Sequence, residues 1–120
     1  MTAIPPSPGA PKPRHERRYP RCSVDMRVLV HVFRAGNFES IWGRSNEIGE
    51  DGISATLTGS LESGEVVSME FMLPVSTEAM KIRAAVRYQS GFRYGFEFLT
   101  LSESQREKIH RALQVLPDQP

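Results

Sequence analysis

Two segments of this chain carry groups suited to a ligand that has both phosphates and guanine edges. The first is the arginine cluster Arg17-Arg18-Tyr19-Pro20-Arg21, and the second is the glycine-rich turn Glu47-Ile48-Gly49-Glu50-Asp51-Gly52. The guanidinium of arginine is a planar fork of donors that can pair with two acceptors at once and stack on a flat ring. A turn of this kind presents backbone N–H groups. Guanidinium and backbone N–H donors are far less suited to binding a metal ion or to hydrolysing a peptide bond.

The arginine cluster is predicted to be extended rather than helical. Tyr19 precedes Pro20, and the residue before a proline is pushed out of the helical region. A segment restricted in this way loses less entropy when a ligand orders it. We therefore expect Arg17 and Arg21 to meet two acceptors of a ligand; a solvated basic linker is the alternative.

The chain shows no residues spaced for catalysis or for a metal site. Its histidines are His15, His31 and His110, and none has a carboxylate or cysteine at a triad-like or metal-like spacing. We predict that the protein is not an enzyme and needs no cofactor. The single cysteine, Cys22, excludes an internal disulfide and fits a reducing compartment. We interpret it as a plain small residue rather than a reactive thiol.

Length and composition indicate one modest domain in a chain of 120 residues. Residues 1–13 are rich in proline and lack a periodic apolar pattern, so we predict a disordered tail there and a domain over residues 14–117. The chain shows no secretory signal and no apolar run long enough for a bilayer. We expect a cytoplasmic protein without membrane insertion. The net charge of +1 argues against non-specific nucleic-acid binding.

Runs of alternating apolar and polar residues predict six antiparallel strands. They cover residues 24–33, 38–48, 53–58, 65–73, 81–88 and 92–98. A helix follows, with a capping-box pattern at Ser102 and Gln105 and a stop at Pro117. The pattern describes an all-β domain with a C-terminal helix, either a small antiparallel barrel or a strongly curved sheet.

The same alternation predicts which aromatic side chains are buried and where the strands bend. The expected buried aromatic residues are Trp42, Tyr88, Phe92, Tyr94, Phe96 and Phe98. Gly43 is expected to mark a bulge or bend in the second strand. Asp51 and Gly52 are expected to form a tight hairpin, since Asp-Gly readily adopts positive φ angles.

The two segments, in this order, resemble the signature of the PilZ domain family, which is Arg-x-x-x-Arg followed by Asp/Asn-x-Ser-x-x-Gly. Arg17 and Arg21 match the first part. Arg14 and Arg18 have the same spacing, but the first predicted strand begins sooner after Arg21. The stretch Gly95-Phe96-Glu97-Phe98 is similar to the aromatic strand near the end of family members, which a short helix follows.

The second part of the signature is altered in this chain. Aligned on Gly52, the family's Asp or Asn falls on Glu47 and its Ser falls on Gly49. Glutamate keeps a carboxylate that can accept from guanine N1 and N2, whereas glycine lacks a hydroxyl whose hydrogen bond would contribute about 1 kcal/mol. Asn46, one position earlier, is an additional candidate polar contact.

The resemblance implies a six-stranded antiparallel β-barrel that binds the bacterial second messenger cyclic di-GMP. By that resemblance Arg17 and Arg21 contact guanine edges and phosphates, with further phosphate contacts from Arg18 and Arg14, and Glu47, Gly49 and Gly52 complete the site. It also implies that such a domain relays the bound state to an as yet unidentified protein effector, and it is compatible with a ligand-bridged dimer.

Two alternatives to a cyclic di-GMP receptor follow from the residues. The changes at Glu47 and Gly49 are compatible with a PilZ-like interaction module that has lost nucleotide binding. The basic linker, with Arg83 and Arg87 on a predicted strand, is compatible with a small barrel that binds nucleic acid. The near-neutral net charge disfavours that second alternative, because phosphate contacts dominate such affinity.

Overall fold

The computed structural model describes residues 21–74 and 76–118, which form six antiparallel strands and one helix. The elements are β1 Arg21–Arg34, β2 Asn37–Gly49, β3 Gly52–Leu57, β4 Val66–Met72, β5 Ala79–Ser90, β6 Arg93–Thr100 and α1 Glu103–Leu113. The strands close into a barrel in the order β1-β2-β3-β6-β5-β4. The structure confirms the predicted barrel with a C-terminal helix and excludes an open curved sheet.

The inside of the barrel is filled by every second residue of the strands, as the alternation predicted. The hydrophobic core contains Val24, Met26, Val28, Val30 and Val32 of β1, and Val67, Met69, Phe71 and Leu73 of β4 and the residue after it. Valine is well represented in β1, and its branched side chain packs well on a pleated surface. The strand begins at Arg21 rather than at residue 24, so the second arginine of the predicted pair belongs to the barrel itself.

Three of the expected buried aromatic residues are exposed instead, namely Trp42, Tyr88 and Phe92. Trp42 alternates with the buried Ile41 and therefore points outward from β2. Phe92 lies in the turn between β5 and β6. The register of β5 against β6 shifts between Val86 and Tyr88, and the extra residue turns Tyr88 to the outer face. A shift of this kind reverses the alternation from that point on.

The bulge expected at Gly43 is found further along β2. The register against β3 shifts between Ser45 and Glu47, which makes Asn46 the extra residue. Gly43 is required instead by close packing, since a Cβ atom there would lie 2.5 Å from the carbonyl oxygen of Thr56.

Helix α1 covers the barrel and returns the chain to the start of β1. Ser102 and Gln105 form the predicted capping box, while the helix ends at Leu113, before Pro117. Ile109 and Ala112 are buried against the barrel. The backbone N–H of Ser23 then donates to the carbonyl of Pro117 at 2.7 Å. No helix within the described ranges is long and apolar enough to span a bilayer.

Candidate ligand-binding site

Strand pairing brings Arg21 against the connection between β2 and β3. Arg21 is the first residue of β1 and lies opposite Gly49, the last residue of β2. One nitrogen of its guanidinium lies 3.6 Å from Oδ1 of Asp51, in the connection before Gly52. The two segments that the sequence analysis singled out therefore meet at one end of the barrel.

The polar atoms of Arg21 and Asp51 are incompletely satisfied. Nε of Arg21 and Oδ1 of Asp51 are buried, and neither has a hydrogen-bond partner among the described residues. Their 3.6 Å ion pair is longer than a hydrogen bond. A buried polar group left without a partner costs about 1–3 kcal/mol. A ligand that supplies both an acceptor and a donor at this point would remove that cost.

Gly52 is needed for close packing rather than for a positive φ angle. Strands β2 and β3 form the predicted hairpin, but the positive φ angles expected at Asp51 and Gly52 are not found: within the described ranges, the glycines with positive φ are Gly36, Gly64 and Gly91. A Cβ atom on Gly52 would lie 2.2 Å from the carbonyl oxygen of Phe96 on β6. The glycine thus allows β3 to approach β6 closely beneath the connection that carries Asp51.

Glu47, expected to accept from a guanine base, is engaged by an arginine that the sequence analysis did not consider. Its side chain is 6% exposed, and Nη2 of Arg93 on β6 donates to its Oε1 at 2.6 Å. Arg93 Nε is buried without a hydrogen-bond partner among the described residues. The sequence indicated only that Arg93 takes an outward-facing position in its alternating strand, Arg93–Thr100.

The remaining predicted site residues fall in different places. Gly49 is buried at the end of β2, and Asn46 is exposed at the bulge. Arg14, Arg17 and Arg18 lie outside the described residues, so their role stays a prediction.

A cleft beside Arg21 extends the site across β5 and β6. Its volume is about 200 Å³ and its lining consists of Arg21, Asp51, Arg87, Tyr88, Gly95, Phe96 and Glu97. Arg87 is held by Glu97 on the neighbouring strand, Nε to Oε1 at 2.6 Å. Over residues 21–74 and 76–118, no group of three or more His, Cys, Asp or Glu side chains is arranged to hold a metal ion. The arrangement offers guanidinium donors, a carboxylate and an aromatic ring to a ligand.

Solved structures share this fold at low sequence identity. The Bacillus subtilis inhibitor of motility, MotI/DgrA, matches with a TM-score of 0.67 and 21% identity over 82% of this chain and 49% of its own. The PilZ domain of Escherichia coli YcgR with c-di-GMP matches with a TM-score of 0.66 and 18% identity over 84% and 91% of the two chains. The PilZ domain of CeSA from a cellulose-synthesizing bacterium matches with a TM-score of 0.60 and 16% identity over 78% and 94%.

The chain spans about half the length of the Bacillus motility inhibitor that it matches. Among curated proteins, no sequence matches it. A family model described as PilZ domain matches residues 15–114, which is most of the chain. The chain therefore belongs to the PilZ domain family.

Proposed function

We propose that this PilZ domain binds cyclic di-GMP between Arg21 and the β2–β3 connection and relays the bound state to a protein partner. The observation that supports the proposal is the position of Arg21, whose Nη2 lies 3.6 Å from Asp51 Oδ1 and whose buried Nε has no hydrogen-bond partner among the described residues. Structural similarity to the YcgR PilZ domain with c-di-GMP also supports it. The role is one of binding, without catalysis or a cofactor, in the cytoplasm.

The chemistry of cyclic di-GMP fits the groups at this end of the barrel. A guanidinium pairs with guanine O6 and N7 or with phosphate oxygens through charge-assisted hydrogen bonds. The Asp51 carboxylate accepts from guanine N1–H and N2–H. In this proposal Arg17, Arg18 and Arg14 add contacts from the segment that precedes β1, within a domain over residues 14–117.

A relay from this site has a short path to helix α1. Glu50, beside Asp51 in the connection, lies 2.9 Å from Nδ1 of His110 on the helix. Cys22, directly after Arg21, forms a β-bridge with Asp118 beyond the helix. A ligand that moves Arg21 or the connection would therefore shift the helix end, and a protein partner would read that change.

Isothermal titration with cyclic di-GMP tests the proposed binding. We expect binding by the wild-type protein and a loss of about 10- to 100-fold in affinity for Arg21→Ala, which removes a charge-assisted contact worth about 1.5–3 kcal/mol. Arg83→Ala is the matched control, because Arg83 is an exposed arginine of β5 away from the cleft. The proposal fails if the wild-type protein shows no heat at high micromolar ligand.

A PilZ-like interaction module without nucleotide binding is the second candidate function. The contact of Arg93 with Glu47 favours it, since the carboxylate is already occupied, and so does the absence of a hydroxyl at Gly49. The double variant Glu47→Asp/Gly49→Ser separates the two functions. If the variant binds cyclic di-GMP and the wild-type protein does not, the chain is a module that has lost its ligand.

A further inference from the structure

A groove around Trp42, here called the Trp42 groove, lies on the outer face of the barrel. Its volume is about 560 Å³ and its lining consists of Arg27, Trp42, Gly43, Arg44, Thr56 and Thr58. None of these residues lines the cleft beside Arg21. The Trp42 groove is therefore a separate surface feature, which the proposed ligand site does not use.

The protein holds Trp42 in place while leaving half of it exposed. The side chain is 50% exposed, and the guanidinium carbon of Arg27 lies 5.2 Å from the ring centroid, a cation–π arrangement. The backbone N–H and the hydroxyl of Thr58 both donate to the carbonyl of Trp42 at 3.0 Å. A large aromatic side chain held in this way is a preformed apolar contact for a partner.

The polar groups around the ring are mainly hydrogen-bond donors. Trp42 has its indole N–H, and Arg27 and Arg44 have guanidinium groups. Nε of Arg44 lies 2.9 Å from Oδ1 of Asp25, but a guanidinium has five N–H donors and can therefore also donate to a bound segment. None of the lining residues carries a carboxylate. The groove thus fits an apolar segment that has more acceptors than donors.

Residues 4–13 of this chain, which lie outside the described residues, have this composition. Their sequence IPPSPGAPKP contains five of the nine prolines of the chain. Because proline has no N–H, the carbonyl acceptors of this segment outnumber its backbone donors. Two overlapping Pro-x-x-P repeats, at residues 5–8 and 8–11, favour the polyproline II conformation, which binds to aromatic-lined grooves.

The chain between this segment and β1 is long enough to reach the groove. Arg27 lies six residues after Arg21 on β1, which corresponds to about 20 Å at the rise of a β-strand. The eight residues from Pro13 to Arg21 span up to about 26–29 Å when extended. Attachment to the same chain also raises the effective concentration of the segment at the groove.

We propose that residues 4–13 bind in the Trp42 groove of their own chain as a polyproline II segment. In this arrangement proline rings pack on the indole of Trp42, and carbonyls of the segment accept from Arg27 and Arg44. The inference goes beyond the proposed function, because it concerns a different surface and does not depend on cyclic di-GMP. It also agrees with the absence of a periodic apolar pattern in residues 1–13, since a segment that packs on the barrel needs no core of its own.

Acrylamide quenching of Trp42 fluorescence in the ligand-free full-length protein tests the docking. Trp42 is the only tryptophan, so its emission reports on the groove alone. We expect the triple variant Pro5→Ala/Pro8→Ala/Pro11→Ala to be quenched at least about 2-fold more strongly than the wild type, because docking covers the exposed half of the side chain. Ser7→Ala, which keeps every proline, is the matched control and should behave as the wild type.

Two results of this experiment would overturn the proposal. Equal quenching of the wild type and the triple variant, at equal melting temperatures, would show that the segment does not cover Trp42. Protection that increases with protein concentration would place the segment in the groove of a second copy instead of its own chain.

A spin label on the segment measures its position directly. Cys22 is the only cysteine, so Ser7→Cys in a Cys22→Ala background carries one label. We expect the label to broaden the NMR signals of the Trp42 indole N–H and the Thr56 amide. Adding Trp42→Ala should remove the broadening at Thr56, whereas Phe38→Ala, which changes an exposed aromatic residue of the same strand outside the groove, should not. Full signal intensity at Trp42 and Thr56 with the label in place would contradict the docking.

Discussion

The two arginines that bound strand β1 have opposite environments. Arg34, at the end of the strand, donates from Nε to Glu65 Oε2 at 3.0 Å and from Nη2 to Glu65 Oε1 at 2.9 Å. It also donates to the carbonyl of Ser60 at 2.8 Å. Arg21, at the start of the strand, has one ion pair within the described part of the chain, to Asp51 at 3.6 Å.

Burial makes this difference informative. The Arg34 side chain is 33% exposed and well paired, whereas that of Arg21 is 13% exposed and has a buried Nε without a partner among the described residues. Stability alone would favour the reverse, because the more buried charge gains more from full pairing. Arg34 therefore links the β1–β2 hairpin to the segment before β4, while the incomplete pairing of Arg21 agrees with the binding role proposed for it.

A glycine also lies near each of these arginines: Gly36 is in the turn after Arg34, and Gly52 follows Asp51, the ion-pair partner of Arg21. Substitution of Gly52 gives the largest predicted effect on stability. Gly52→Ala is expected to lower the free energy of unfolding by about 3 kcal/mol, because the new Cβ would lie 2.2 Å from the carbonyl oxygen of Phe96. Gly36→Ala, in the β1–β2 turn, is expected to lower it by about 1 kcal/mol, because Gly36 has φ +81° but nothing within 4 Å of a Cβ. Urea denaturation of both variants measures the difference.

Asparagine variants separate the conformational cause from the steric one. Asparagine tolerates the left-handed region, so Gly36→Asn is expected to be close to the wild type in stability. Gly52→Asn is expected to be at least as unstable as Gly52→Ala. Equal losses for Gly36→Ala and Gly52→Ala would contradict the steric role assigned to Gly52.

Methionine substitutions test the two arginines in the ligand-free protein. Arg34→Met is expected to lower the melting temperature, because it removes a bidentate pair and leaves Glu65 without its partner. Arg21→Met is expected to leave the melting temperature unchanged or to raise it, since an apolar side chain replaces an incompletely satisfied buried charge. A larger loss of stability for Arg21→Met than for Arg34→Met would assign Arg21 a structural role.

The sequence predicted those parts of the fold where the alternation of apolar residues is unbroken. The predicted strands 24–33 and 65–73 are confirmed, because buried and outward-facing side chains alternate without interruption along both of them. The prediction for Tyr88 is wrong because one extra residue in β5 exchanges the inward and outward positions of the residues that follow it. No local sequence pattern marks that extra residue.

The candidate site was predictable only in its local part. Arg21 and the turn after Glu47 are recognisable from residue types and spacing. The contact of Arg93 with Glu47 joins residues on β6 and β2, and only barrel closure brings these strands near each other. The same holds for the contact of Tyr88 with Ser54.

The smallest predicted effect is a change in the pH dependence of stability at the Arg34 end. The hydrogen bonds from Arg34 hold the pKa of the Glu65 carboxyl below its usual value. Because the folded-state pKa is lower than that of the unfolded chain, about 4.3, this contribution is fully present above that value and is lost as the pH falls through the folded-state pKa. Wild-type stability should therefore decline more steeply below about pH 5 than that of Arg34→Met.

Urea denaturation at a series of pH values, with Glu65→Gln and the double variant Arg34→Met/Glu65→Gln, isolates this pair. We expect each single variant to reduce the loss of unfolding free energy at acid pH by a similar amount. The double variant should reduce it no further, because the two side chains act through one interaction. Additive reductions would show that Arg34 and Glu65 act through different partners. Arg34 would then no longer be a fully paired arginine, and its comparison with Arg21 would no longer support the proposed binding role of Arg21.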